Sequence, residues 1–89
     1  MANRRVLVLY SKPGCCLCEQ LEAKLRPLEK PLGFTLAVRD ITSDPDWFAD
    51  FQYTIPVLEY AGRTLAGISH RTASEDLAAV LRGAFFTPS

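Results

Sequence analysis

Long hydrophobic runs are missing from this sequence. The apolar stretch Val6–Tyr10 follows Arg4 and Arg5 and stops at Ser11-Lys12-Pro13-Gly14. A secretory core needs roughly 7–15 apolar residues and a membrane span about 20, so neither is expected. An excess of charge of one sign is missing too, because ten Lys and Arg balance ten Asp and Glu. That removes the electrostatic case for nucleic acid or an anionic membrane as a partner. Cysteine is absent outside one cluster, Cys15, Cys16 and Cys18, and the chain has a single His, His70. Three cysteines in four positions make a poor disulfide framework. A cytoplasmic location, expected in the absence of leader or span, would keep them reduced. With no repeat, linker or low-complexity tract, one domain over residues 1–89 is expected. Its 48% hydrophobic and 22% charged residues are ordinary for a globular chain.

What is present is an alternation of strand and helix patterns. Arg5–Tyr10 (RVLVLY) is apolar with almost no alternation, as in a central strand buried on both faces. From Cys15 the period changes: Cys18, Leu21, Leu25 and Leu28 form one stripe of an amphipathic helix. Pro27 predicts a kink or early end, and Pro31 and Gly33 close the segment. Phe34–Asp40 is the second strand. Asp44 as N-cap and Pro45 at the first helical position open a short helix through about Phe51. Thr54–Tyr60 and Arg63–Ile68 read as a hairpin turned by Ala61-Gly62. Thr72 and Glu75 have capping-box spacing. Leu77, Val80 and Leu81 follow as an amphipathic stripe, Gly83 reads as the C-cap, and Phe85 and Phe86 pack back on the domain. The order β-α-β-α-β-β-α implies an α/β fold, a mixed four-stranded sheet with helices on both faces.

The chemistry is concentrated in Cys15-Cys16-Leu17-Cys18. The reactive form of a thiol is the thiolate, and a first helical turn offers unpaired N–H groups and the positive dipole end to a negative sulfur. Cys15 lies at that turn and is the expected attacking thiol. Cys18 lies one turn on, toward the buried stripe, and is the expected resolving thiol. Lys12 adds a favourable charge if its ammonium folds back. Zinc sites use C-x-x-C as well, but a structural zinc wants four ligands. The only other soft candidate is His70, so no metal is expected, and the pair beside a β-α-β pattern reads as redox. Cys16 is either a tolerated small side chain or an alternative disulfide partner or oxidation site. A soft-metal module built on Cys15, Cys16 and Cys18, and a non-enzymatic interaction domain, are the competing readings. Trp47, Phe48, Phe51 and Tyr53 read as core or helix face, with a docking patch as the alternative. Arg63 and the Arg4–Arg5 pair read as solvated charges, and His70 as a surface residue before the last helix, with a pH switch or ligand role as its alternative.

Pro56, inside the third strand pattern, is the second marked feature. A strand ending Tyr-Ser-Lys-Pro-Gly-Cys, a C-x-x-C opening a helix, and a later Thr54-Ile55-Pro56 before a hairpin resemble the thioredoxin superfamily. Within it, the chain is most similar to the small bacterial glutaredoxin-like proteins, over nearly its whole length. The resemblance implies a thioredoxin-like fold and reduction of protein or glutathione-mixed disulfides. It implies a cis Ile55–Pro56 bond against the active-site sulfurs, with the Ile55 backbone bonding a substrate cysteine. It also assigns Lys12, Gly67 and Ser69 to glutathione contacts. Glutathione would be a co-substrate and not a bound cofactor, a reductase is the other source of electrons, and a monomer is expected. The chain departs from the family's C-P-Y-C at Cys16 and Leu17, and from its Gly-Gly pair at Ala66.

Overall fold

A computed structural model describes residues 5–65 and 67–86. The expectations for Arg4, for Ala66 and for the packing of the Phe86 side chain lie outside what is described.

Strand β1 (Arg5–Ser11) runs up the middle of the sheet. After the helical segment, β2 (Phe34–Asp40) pairs parallel to it from Arg5↔Phe34 to Ser11↔Asp40. On the other side β3 (Val57–Tyr60) pairs antiparallel, Tyr10↔Val57 to Leu7↔Tyr60, and β4 (Arg63–Thr64) pairs antiparallel with β3. The order β2-β1-β3-β4 is the mixed four-stranded sheet expected from the patterning.

Helices cover both faces. Leu7, Leu9, Phe34, Leu36 and Leu58 on one face pack against Leu21 and Leu25 of α1 (Cys16–Leu25) and against Leu77, Leu81 and Phe85 of α4 (Ser74–Phe86). On the opposite face Tyr10, Val57 and Ile41 are buried with Trp47 and Phe51 of α3 (Pro45–Phe51). Phe51 stacks on the Tyr10 ring at 4.5 Å and Trp47 meets it edge-on at 5.7 Å. The short α3 covers only this end of the sheet, so β1 is not buried on both faces throughout: Val6 is 45% exposed. Of the remaining aromatics, Phe48 and Tyr53 are exposed.

Local signals account for most boundaries. Pro27 has no N–H to give, and there α1 yields to a 3₁₀ turn, Arg26–Leu28, and a final turn, α2 (Glu29–Leu32). Gly33, at φ 69°, ends that segment. The Glu29 carboxylate then accepts from the backbone N–H of Leu36 at 2.8 Å. Asp44 caps α3 by accepting from Asp46 N–H at 2.8 Å, with Pro45 first in the helix.

Four boundaries differ from expectation. β3 begins at Val57, not Thr54, because the N–H groups of Thr54 and Ile55 turn back to the Phe51 carbonyl; the Ile55–Pro56 bond that follows is cis. β4 stops at Thr64, not Ile68; one further bond, Leu65 N–H to Leu58 carbonyl, precedes the departure of the chain into a loop. Thr72 is not a helix cap, since its hydroxyl accepts from the Ser69 N–H and α4 starts at Ser74. Gly83 is not a C-cap: α4 runs through it to Phe86. Burial of Phe85 against the Phe34 and Tyr60 rings holds that last turn in place.

Candidate active site

The C-terminal end of β1 delivers the chain to the reactive motif. Lys12-Pro13-Gly14-Cys15 closes a turn through Cys15 N–H to the Lys12 carbonyl at 3.2 Å. Proline in the second place and Gly14 at φ 79° in the third are what a type II turn demands. The turn leaves Cys15 extended (φ −86°, ψ 102°) as the N-cap of α1. Its sulfur accepts from the Cys18 N–H at 3.3 Å, the role a serine or aspartate oxygen takes in an ordinary cap. Its carbonyl accepts the Glu19 N–H at 3.0 Å.

The three sulfurs sit in different surroundings. Cys15 is half-buried, Cys16 is exposed on the first residue of α1, and Cys18 is 2% exposed on the stripe shared with Leu21 and Leu25. Burial pushes the Cys18 thiol up to about 12, helped by hydrogen bonding to, and charge on, the Cys15 sulfur. Backbone hydrogen bonding at Lys12 and Cys18 offsets part of that rise. Cys18 is thus a protonated, shielded thiol beside an accessible one. All three are free. Among the described residues, no three His, Cys, Asp or Glu side chains gather into a metal site.

The remaining candidates converge through topology. Val57 lies opposite Tyr10, which puts cis Ile55–Pro56 beside Ser11, where the cysteine turn begins. Ile55 packs with the Tyr10–Val57 cluster. Since β4 runs with β1, the loop after it emerges at the same end of the sheet. That loop carries Gly67, exposed at φ 79°, and Ser69, whose hydroxyl accepts from the Arg71 N–H at 3.1 Å. Lys12 is exposed, and what ties it to the cysteines is its backbone. Two surface grooves, of about 340 and 550 Å³, lie around β4 with α4 and around the start of β1, away from the sulfurs.

Residues 6–82 match the glutaredoxin-like domain (DUF836). The chain belongs to this family. Among solved structures, the glutaredoxin-like chain is similar to protein Ne2328 from Nitrosomonas europaea, at 30% identity over 89% of this chain and 93% of that one, with a TM-score of 0.70. Two malarial relatives speak to the fold alone. One, a malarial protein, is 21% identical over 90% of this chain and 96% of that one, TM-score 0.63. The other, thioredoxin-2, a component of malaria parasite protein secretion machinery, is 22% identical over 92% and 84%, TM-score 0.65. No curated protein matches the sequence. Family and fold together point to a thiol–disulfide redox role.

One side chain that ties the loop after β4 to α1 is illegible in the sequence. Lys24, in the last turn of α1, donates to the carbonyls of His70 at 2.7 Å and Thr72 at 2.9 Å. Both acceptors are backbone atoms far along the chain, so no side-chain pattern announces the contact. His70, read as a surface residue, is half-buried here.

Proposed function

We propose that this protein is a dithiol oxidoreductase that reduces protein or glutathione-mixed disulfides. One observation carries the reading: Cys15 caps α1 with its sulfur on the Cys18 N–H, while Cys18 sits buried and protonated one turn away.

The Cys15 thiolate attacks one sulfur of the substrate disulfide, forming a Cys15–substrate bond and expelling the other substrate sulfur as a thiolate. The Cys18 N–H that holds the Cys15 sulfur keeps it oriented at the mouth of the turn. Two of the three influences that raise Cys18, the hydrogen bond and the charge of Cys15, end once Cys15 is tied up in the mixed disulfide. Cys18 then releases its proton more readily, attacks the Cys15 sulfur and expels the second substrate thiolate. Two electrons pass from the protein to the substrate, Cys18 gives up its one proton, the substrate thiolates take any further proton from solvent, and a Cys15–Cys18 disulfide remains. Two molecules of glutathione, or a reductase, restore the dithiol. A cytoplasmic setting fits this chemistry, and among the described residues no helix is long and apolar enough to cross a membrane.

The test is reduction of a glutathione-mixed disulfide and of a peptide disulfide, with variants at both cysteines. Cys15→Ser is expected to abolish turnover. Cys18→Ser is expected to accumulate a Cys15–substrate adduct visible by mass spectrometry. Wild-type protein that turns over neither substrate, and forms no adduct as Cys18→Ser, overturns the proposal.

A further inference from the structure

The loop between β4 and α4 leaves the sheet at the end where α1 begins, and little regular structure holds it. Leu65 and Ile68 pack partly against the main core. Ser69 and Thr72 close a small turn through Thr72 N–H to Ser69 carbonyl at 3.1 Å and Ser69 N–H to Thr72 hydroxyl at 3.0 Å. That turn is self-contained and does not by itself fix the loop against anything else. A polar tie to α1 comes from Lys24. Its ammonium reaches two carbonyls, those of His70 and Thr72, in a part-buried setting. Neither carbonyl belongs to α4, which begins at Ser74. The other end of the tie is α1, the same helix that presents Cys15 and Cys18.

We infer that Lys24 is a positioning residue for substrate binding: its ammonium fixes the wall formed by residues 67–73 against the helix that carries the reactive sulfurs. The inference rests on the oxidoreductase reading above. Lys24 touches neither sulfur, so its removal leaves nucleophile and resolving thiol as they are. What it changes is the distance and order of the wall. A loosened wall binds substrate less well at the same intrinsic reactivity, so the effect falls on KM and spares kcat. An ammonium with two charge-assisted bonds suits the task, because one side chain satisfies two part-buried carbonyls at once. A guanidinium, with its fork of donors, can do the same; a neutral apolar chain of like length cannot.

The experiment uses Lys24→Met and Lys24→Arg with the mixed disulfide of glutathione and a cysteine-containing peptide as substrate. Lys24→Met keeps the apolar stem along α1, and circular dichroism checks that it folds. Its KM is expected to rise about tenfold, the scale of one lost charged hydrogen bond, with kcat and the rate of Cys15 alkylation within about twofold of wild type. Hydrogen exchange at the Thr72 amide is expected to speed up. Lys24→Arg is expected to restore most of the KM. An unchanged KM in folded Lys24→Met overturns the inference while leaving the oxidoreductase reading intact. A parallel fall in kcat and Cys15 alkylation overturns it as well, since that would place Lys24 in the chemistry. Wild-type protein inactive on this substrate and on a peptide disulfide overturns the functional reading first, and the positioning role with it.

Discussion

Cys15 and Cys18 are one helical turn apart, yet the fold treats them as opposites. Cys15 ends a turn in which Pro13 and Gly14 set the backbone, and its sulfur takes the place of a capping oxygen. Cys18 has been drawn into the apolar stripe of α1, where ionisation is disfavoured chiefly by burial. Both placements were legible from spacing, since position relative to a helix start is a local property. Iodoacetamide labelling of the reduced protein, mapped by mass spectrometry, checks the difference. Between pH 7 and 9, Cys15 and the exposed Cys16 are expected to be modified and Cys18 to be spared. Labelling of Cys18 should rise only as the pH approaches the value of about 12 to which its thiol is pushed. Equal labelling of all three cysteines at pH 8 would contradict this.

At the scale of elements, boundaries written in adjacent residues were readable and those set by distant partners were not. Asp44 and Pro45 announce α3 because a cap bonds its own next residues. Pro27 announces the break after α1 because the missing N–H is its own. Gly83 misleads. Glycine weakens a helix, and the packing of Phe85 on Phe34 and Tyr60, both distant in the chain, supports the last turn of α4. Thr72 misleads for a similar reason, its hydroxyl being taken by Ser69. The continued helix makes a prediction. A Cβ at Gly83 would meet nothing within 4 Å. Gly83→Ala is therefore expected to stabilise the protein by about 1 kcal/mol, measured by urea unfolding. A loss of stability would mean that α4 ends where the glycine first suggested.

For the whole molecule, the two-faced core was legible as a set of periodicities, and its uneven coverage was not. The sequence of β1 is apolar throughout, but α3 is too short to reach Val6. Lys24 stayed hidden for the same reason as the last turn of α4, because its partners are fixed only by the finished topology. The raised thiol of Cys18 also acts on stability as a whole. In the unfolded chain that thiol ionises near 9.0, whereas the folded protein holds its proton to about 12. Unfolding therefore releases a proton at alkaline pH. The stabilisation is complete below pH 9 and is lost as pH rises toward 12. Tyr10, raised by burial and then by Glu59, acts in the same direction. Urea unfolding across that range should show stability falling, with a shallower fall in Cys18→Ala. An equal slope in the variant would count against it.

The carboxylate of Glu29 on the Leu36 amide bears on how copies of the chain meet. A strand at the border of a sheet offers unpaired amides to any neighbour, and stacking of one border on another is a route to insoluble assemblies. On β2 the Leu36 amide is already claimed by a side chain of the same molecule. The opposite border is only two residues long. With that amide taken on β2 and a two-residue strand at the other border, a neighbouring copy finds less free backbone to pair with.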